Sequence, residues 1–265
     1  MPRMETLRLE RDPSLPGLLT VVLNRPDRLN AINAAMHNEI IALCRDLEVD
    51  AVTRVVVFTG EGRAFSAGAD LGARKAVSGE APAIPIQRAT SPLEERVVAT
   101  LGNRSSAAIE RLPQVTIAAV NGLAVGGAVV WLSCMDIRLA AASAWFSIPE
   151  VDLDIPLTWN ALPRLVREIG PARTKELVMA CDRFSAEDAL RWGFLNHVTP
   201  DADLLPRARA MAQKLLAKDA LSVALTKSTV NALANLMVPA EATHADPDYL
   251  MLARHVQQQE RRRNT

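Results

Sequence analysis

The sequence predicts an α/β fold with a helical C-terminal part, and three observations predict it. Short apolar runs rich in β-branched residues, LLTVVLN (18–24), RVVVFTG (54–60) and VTIAAV (115–120), alternate with segments of helical spacing in the first half. These runs lack polar alternation, as expected of strands covered on both faces. From about residue 160 the patterns are mostly helical, with breaks at Gly170-Pro171, Asp182, Gly193 and Pro200.

The elements follow in order. The first run ends at the turn signal Asn24-Arg25-Pro26-Asp27. Ala34 to Leu47 sets Met36, Ile40, Ile41, Leu43 and Leu47 at helical spacing. The second run ends at Thr59-Gly60 and leads into the loop EGRAFSAGAD. Residues 72–92, with Pro82, Pro85 and Pro92 and little periodicity, predict a mobile surface loop suited to act as a lid. A helix over about 93–111 precedes VTIAAV, and another begins at Gly127. DIRLAAAS and AWFSIPEVDL predict shorter strands and turns. Glu150, Asp152 and Asp154 alternate there with Val151, Leu153 and Ile155, which in an extended strand puts three acids on one solvated face. Asp246-Pro247-Asp248-Tyr249-Leu250 starts a last helix through HVQQQERRR. Its Leu250, Leu252 and Val256 are available to pack on the chain's own pocket or on a neighbouring subunit.

Composition excludes several classes. The 265 residues are 49% apolar, with 30 basic and 30 acidic side chains, so no broad basic surface suits nucleic acid or an anionic membrane. The run Arg261-Arg262-Arg263 is too short to change that. Cys44, Cys134 and Cys181 are isolated, which argues against a disulfide framework or a zinc site and for buried thiols in a reducing cytoplasm. The N-terminal MPRMETLRLERD has no apolar h-region, and no run of ~18 apolar residues suggests a membrane span. His37, His197, His244 and His255 lack metal-ligand spacing; surface or packing roles are expected, with His197 in a turn.

Two loops carry the chemistry. Phe65-Ser66-Ala67-Gly68-Ala69-Asp70 follows one buried strand; Asn121-Gly122 and Gly126-Gly127 follow the next. Ligands of α/β sheets gather at such strand ends. Glycine permits close approach, and the first amides of a helix have no internal partner, so an amide from each loop could form an oxyanion hole. The glycine pair alone suits tight helix–strand packing equally well.

Taken together, Asn24-Arg25-Pro26 with Asn30-Ala31-Ile32, GEGRAFSAGADL (60–71), NGLAVGGAVVWLSCMDIRLAAASAWFSIPE (121–150) and Gly193-Phe194-Leu195-Asn196 resemble the enoyl-CoA hydratase/isomerase family, the crotonases, in the right order over about residues 15–230. The resemblance implies an α/β crotonase-type spiral of ββα turns, with a core over 1–198 holding an acyl-CoA site. It also implies a helical region over 199–265 for trimerisation and pocket cover. It places the two thioester-binding amides at Ala69 and Gly127, and coenzyme A contacts around Arg28 and Ala31 and from Ala67 through Ala69, Asp70 and Leu71. It implies no cofactor beyond the coenzyme A of the substrate, and a homotrimer or dimer of trimers in the cytoplasm.

Family hydratases use two glutamates. One lies three residues after the second glycine, where this chain has Val130; the other matches Glu150. Val130 and Trp131 suggest a dry, apolar pocket wall. Concerted hydration needs one group to accept a proton and another to deliver one. Moving a double bond needs a single carboxylate that removes a proton and returns it further along, so the resemblance ranks 3-enoyl to 2-enoyl isomerisation by Glu150 first. Hydration of a 2-enoyl thioester by Glu150, alone or with Asp154, and a non-catalytic acyl-CoA binder are the alternatives. Asp154 stands where the family has glycine, a position suited to a left-handed backbone. Pro156-Leu157-Thr158-Trp159-Asn160-Ala161 departs from the family's glycine-rich turn and sets Trp159 near the pocket.

Overall fold

The computed structural model describes residues 4–70 and 91–263; Leu71 and nearly all of the 72–92 segment lie outside them. Strands β1 (Leu7–Arg11) and β2 (Leu18–Leu23) form an antiparallel pair. Helix α1 (Ala34–Glu48) follows, capped by the Asn33 side chain, which accepts from the Met36 amide. Next come β3 (Val55–Gly60) and β4 (Ala64–Ser66), then α2 (Pro92–Ala99) and α3 (Leu101–Arg111). The pattern repeats as β5 (Val115–Val120), β6 (Leu123–Val125) and α4 (Gly127–Ser133), and again as β7 (Ile137–Ala141), β8 (Trp145–Ser147) and α5 (Ala161–Ala180). Finally come β9 (Phe184–Ser185), α6 (Ala186–Arg191), β10 (His197–Thr199), α7 (Leu204–Leu216), α8 (Ala220–Met237) and α9 (Asp246–Arg263).

Each repeat sends its first strand into a six-stranded sheet, ordered β1-β2-β3-β5-β7-β10, and its second into a four-stranded sheet, ordered β4-β6-β8-β9. The large sheet is parallel from β2 onward. This is the spiral of ββα turns. All six residues of β5 and the first five of β3 are buried, as their unbroken apolar runs require. Leu204, Ala208 and Ala212, one helical turn apart, press α7 onto β3, β5 and β7.

Several local expectations differ from the structure. The predicted helix over 93–111 is two helices meeting at Thr100, whose hydroxyl bonds back to the Val97 carbonyl at 2.7 Å. His197 lies in β10, paired with Leu139, rather than in a turn, because the outer edge of β7 offers a parallel partner. Residues 150–155 are not extended. The Leu153 and Ile155 amides both donate to the Glu150 carbonyl (3.0 and 3.1 Å), closing a 3-10 turn over Val151–Leu153. The three acids therefore do not share one face. Cys44, Cys134 and Cys181 are all buried free thiols. Among the described residues, no helix is long and apolar enough to cross a membrane.

Candidate active site

The first donor loop is clamped by Asn30. This buried residue sits in the left-handed region (φ 55). Its Nδ2 donates to the Glu61 and Ala64 carbonyls, each at 2.9 Å, and its Oδ1 accepts from the Arg25 amide. The Ser66 hydroxyl donates to the Asn30 carbonyl at 2.8 Å. The loop then pairs with Ile32: the Ile32 amide donates to Gly68 O (2.7 Å) and the Asp70 amide to Ile32 O (2.9 Å). With those two groups turned toward Ile32, the Ala69 amide between them faces the opposite way. Among the described residues it has no hydrogen-bond partner.

The second loop supplies the matching donor. Gly126 adopts φ 52, ψ −116, which glycine tolerates and side-chain-bearing residues avoid, and its amide donates to Ser147 O at 2.8 Å. That turn starts α4, leaving the Gly127 amide without a partner among the described residues. The two loops touch backbone to backbone. A Cβ on Gly68 would lie 2.3 Å from Val125 O and 3.2 Å from the Gly127 nitrogen. Two unsatisfied amides from different loops thus flank one opening, an arrangement that stabilises a developing oxyanion.

The opening leads into a cavity of about 540 Å³. Arg28, Ala67, Ala69, Asp70, Gly127, Val130, Glu150 and Trp159 line it. Ala31 does not; it is buried behind the turn, and its carbonyl accepts from the Arg25 guanidinium. Trp131 is fully buried behind the wall, its Nε1 donating to Ser105 Oγ at 3.1 Å. Asp154 is exposed, outside the lining, and left-handed (φ 56), with its carbonyl accepting from Gln257 Nε2. Leu71 lies outside the described residues.

Glu150 is the chemically distinctive group. Its Oε2 is buried and has no hydrogen-bond partner. Burial pushes its carboxyl up to about 7, opposed only by its own backbone amide. The carboxyl lies against the glycine turn, since a Cβ on Gly126 would sit 2.5 Å from Glu150 Oε1. Gly126 thus makes room for the acid, and Gly127 presents the donor beside it. The other carboxylate lining the cavity, Asp70, pairs with Arg25 at 2.8 Å. Val130, at the position of the family's other acid, is 2% exposed and apolar.

An aromatic wall closes one side. Trp159 (φ 65) and Asn160 (φ 56) are consecutive left-handed residues, held by Asp246 Oδ2 on the Asn160 amide (2.9 Å) and by Asn103 Nδ2 on Asn160 Oδ1 (2.9 Å). This turn is what the departure at 156–161 builds. The Trp159 ring lies where a Cβ on Gly102 or Gly127 would be, 2.0 and 2.2 Å from its nearest atoms. His37 meets the ring edge to face at 4.7 Å, and its Nδ1 is 2.9 Å from Ser105 Oγ. Burial pushes His37 down to about 3, so it is neutral at physiological pH and serves as wall, not base.

Sequence reasoning missed His37, Gly102 and Arg254 as lining residues, whereas Leu250, expected on the pocket or on a neighbouring subunit, does line the cavity. For His37 a signal existed: it falls on the same α1 stripe as Met36, Ile40, Leu43 and Cys44. For Gly102 none did, because its partner is 57 residues away. Gly102→Ala should displace the ring and cost about 1–3 kcal/mol, read as a lower midpoint in thermal or urea unfolding.

The enoyl-CoA hydratase/isomerase family model matches residues 16–264. The chain is 33% identical over 228 residues to a crotonyl-CoA hydratase of Syntrophomonas wolfei, covering 86% of this chain and 82% of that one. It is 33% identical over 222 residues to a 1,2-epoxyphenylacetyl-CoA isomerase of Escherichia coli, covering 81% and 79%. Its fold matches a crystal structure of a monofunctional enoyl CoA isomerase from M. smegmatis with a TM-score of 0.70 and 29% identity, over 87% of this chain and 94% of that one. The cavity with two free amides and one buried carboxyl therefore sits in an enzyme that belongs to the enoyl-CoA hydratase/isomerase family.

Proposed function

We propose that this enzyme converts 3-enoyl-CoA thioesters to 2-enoyl-CoA thioesters with Glu150 as the single proton shuttle. The observation that carries the reading is one buried, unpaired carboxyl titrating near neutrality beside two free amides, with Val130 where a second acid would stand. The Ala69 and Gly127 amides hold the thioester oxygen. Ionised Glu150 removes a proton from C2, and the electron pair moves into a dienolate whose oxygen charge the amides bear. The same carboxyl, now protonated, delivers that proton to C4, leaving the double bond between C2 and C3. No atom is gained or lost. Coenzyme A enters past Arg28 and the Ala67–Asp70 loop, and no other cofactor takes part.

Hydration is the second reading, favoured by the relatives named hydratases. It needs a second proton-handling group, whereas Asp70 is held by Arg25 and Asp154 is exposed and outside the cavity lining. Incubating the enzyme with a 3-enoyl-CoA should raise the ultraviolet absorbance of the conjugated thioester. Tight acyl-CoA binding without any turnover would make the chain a binder instead.

Self-association completes the proposal. Helix α8 buries none of its residues, and Leu221, Leu225, Val230, Leu233, Leu236 and Met237 are each more than half exposed. A stripe of this kind on a helix at the periphery fits a second copy of the chain, as a trimer or dimer of trimers in the cytoplasm. Leu225→Glu with Leu233→Glu should reduce the mass measured by light scattering to that of one chain; an unchanged oligomer would rule α8 out as the contact.

A further inference from the structure

Arg254 is a charged group that the proposed chemistry does not use. It lies on α9, one turn after Leu250, and both residues line the cavity. Its Nε is buried without a hydrogen-bond partner, and among the described residues the guanidinium makes no hydrogen bond and no ion pair. Glu95 on α2 acts on it through space only, without coming within ion-pair distance. The side chain is half-buried, and a cation partly withdrawn from water without a partner is stabilised by an anion that enters the site.

Its place in the cavity indicates what that could be. Gln257, three residues further along α9, donates to the Leu153 and Asp154 carbonyls (3.0 and 3.1 Å), which pins this stretch of helix over the turn after Glu150. Val98, Leu153 and Leu250 are among the apolar residues that line the same cavity. Glu150 follows the glycine turn and Arg254 comes from the last helix, and both line the one cavity. A ligand whose thioester lies at the two amides would share its cavity with the Arg254 cation.

We propose that the acyl group this enzyme takes ends in a carboxylate, and that Arg254 holds it as the specificity-determining residue. This rests on the acyl-CoA reading of the site above. A carboxylate satisfies a guanidinium with two parallel charge-assisted hydrogen bonds, whereas a methyl end leaves the half-buried cation unpaired.

The test is equilibrium binding by calorimetry of saturated straight-chain CoA thioesters of six, eight and ten carbons, each with a methyl end and with a terminal carboxyl, alongside free coenzyme A. Wild type should bind the carboxylated member about tenfold or more tightly than its methyl-ended partner at the length that reaches Arg254. Arg254→Met should abolish or reverse that preference, and Arg254→Lys should keep part of it. Equal binding of both series at every length overturns this inference and leaves the acyl-CoA reading intact. Arg254→Met weakening free coenzyme A as much as the thioesters would place the arginine on the nucleotide instead and also overturn it. Failure of every thioester to bind more tightly than coenzyme A would overturn the acyl-CoA reading itself, and this inference with it.

Discussion

Glu150→Gln is expected to lower the rate of double-bond migration by about a hundredfold to ten-thousandfold, the range general acid–base groups contribute. The amide keeps the size and most of the polarity of the side chain, so binding of a saturated acyl-CoA should be little changed. The pH profile gives an independent reading. In the proposed reaction the free enzyme needs Glu150 ionised to accept the first proton, so kcat/KM should rise with pH through about 7 and level above it. Stability should run the other way. The folded-state value, about 7, lies above the ordinary 4.5, so the folded protein holds this proton more tightly than the unfolded chain does. Wild type should therefore lose stability as pH rises from about 4.5 through about 7, by up to about 3 kcal/mol. Glu150→Gln lacks the ionising group and should be the more stable protein at pH 8, with the gap closing below about 5. Urea unfolding of both proteins at the two pH values checks this.

Gly126→Ala is expected to have the second-largest effect, for two separate reasons. At φ 52, ψ −116 an alanine is strained. Its Cβ would also lie 2.5 Å from Glu150 Oε1, so the carboxyl must move or the turn must open. Opening the turn shifts the Gly127 amide, which follows it directly. Loss of one oxyanion donor alone costs about a hundredfold or more in kcat. The expected result is a fall of at least about that size with modest change in KM, measured by steady-state kinetics on a 3-enoyl-CoA. A variant with near-normal kcat would mean that neither the carboxyl nor the amide depends on that turn.

Much of the fold was legible because it is local. The strands β2, β3 and β5 are unbroken apolar runs, α1 keeps a helical stripe, and Gly170, Cys181 and Gly193 have positive φ at or beside the predicted breaks. The split between two sheets was not legible from the residues, because β4, β6, β8 and β9 are two or three residues long and carry too little period to read; the family resemblance implied only the spiral of ββα turns. The site divides the same way. Asn30, the glycine turns and Glu150 sit in motifs contiguous in sequence. Alternation alone pointed Glu150 toward a solvated strand, and only the backbone hydrogen bonds to its carbonyl show the turn that folds it inward. Trp159 meets Gly102 and Gly127, and Arg254 reaches the cavity from the last helix. Those contacts join positions far apart in the chain, and no local pattern encodes them.

In the proposed reaction one carboxylate moves a proton and water takes no part. The most direct measurement gives the enzyme a matched 3-enoyl-CoA and 2-enoyl-CoA in ¹⁸O-labelled water and follows the products by mass spectrometry. The 3-enoyl thioester is expected to become its 2-enoyl isomer with unchanged mass and no label, while the 2-enoyl thioester gains no water. Efficient addition of labelled water to the 2-enoyl thioester would contradict that reaction, and would require a second acid that Val130 does not provide.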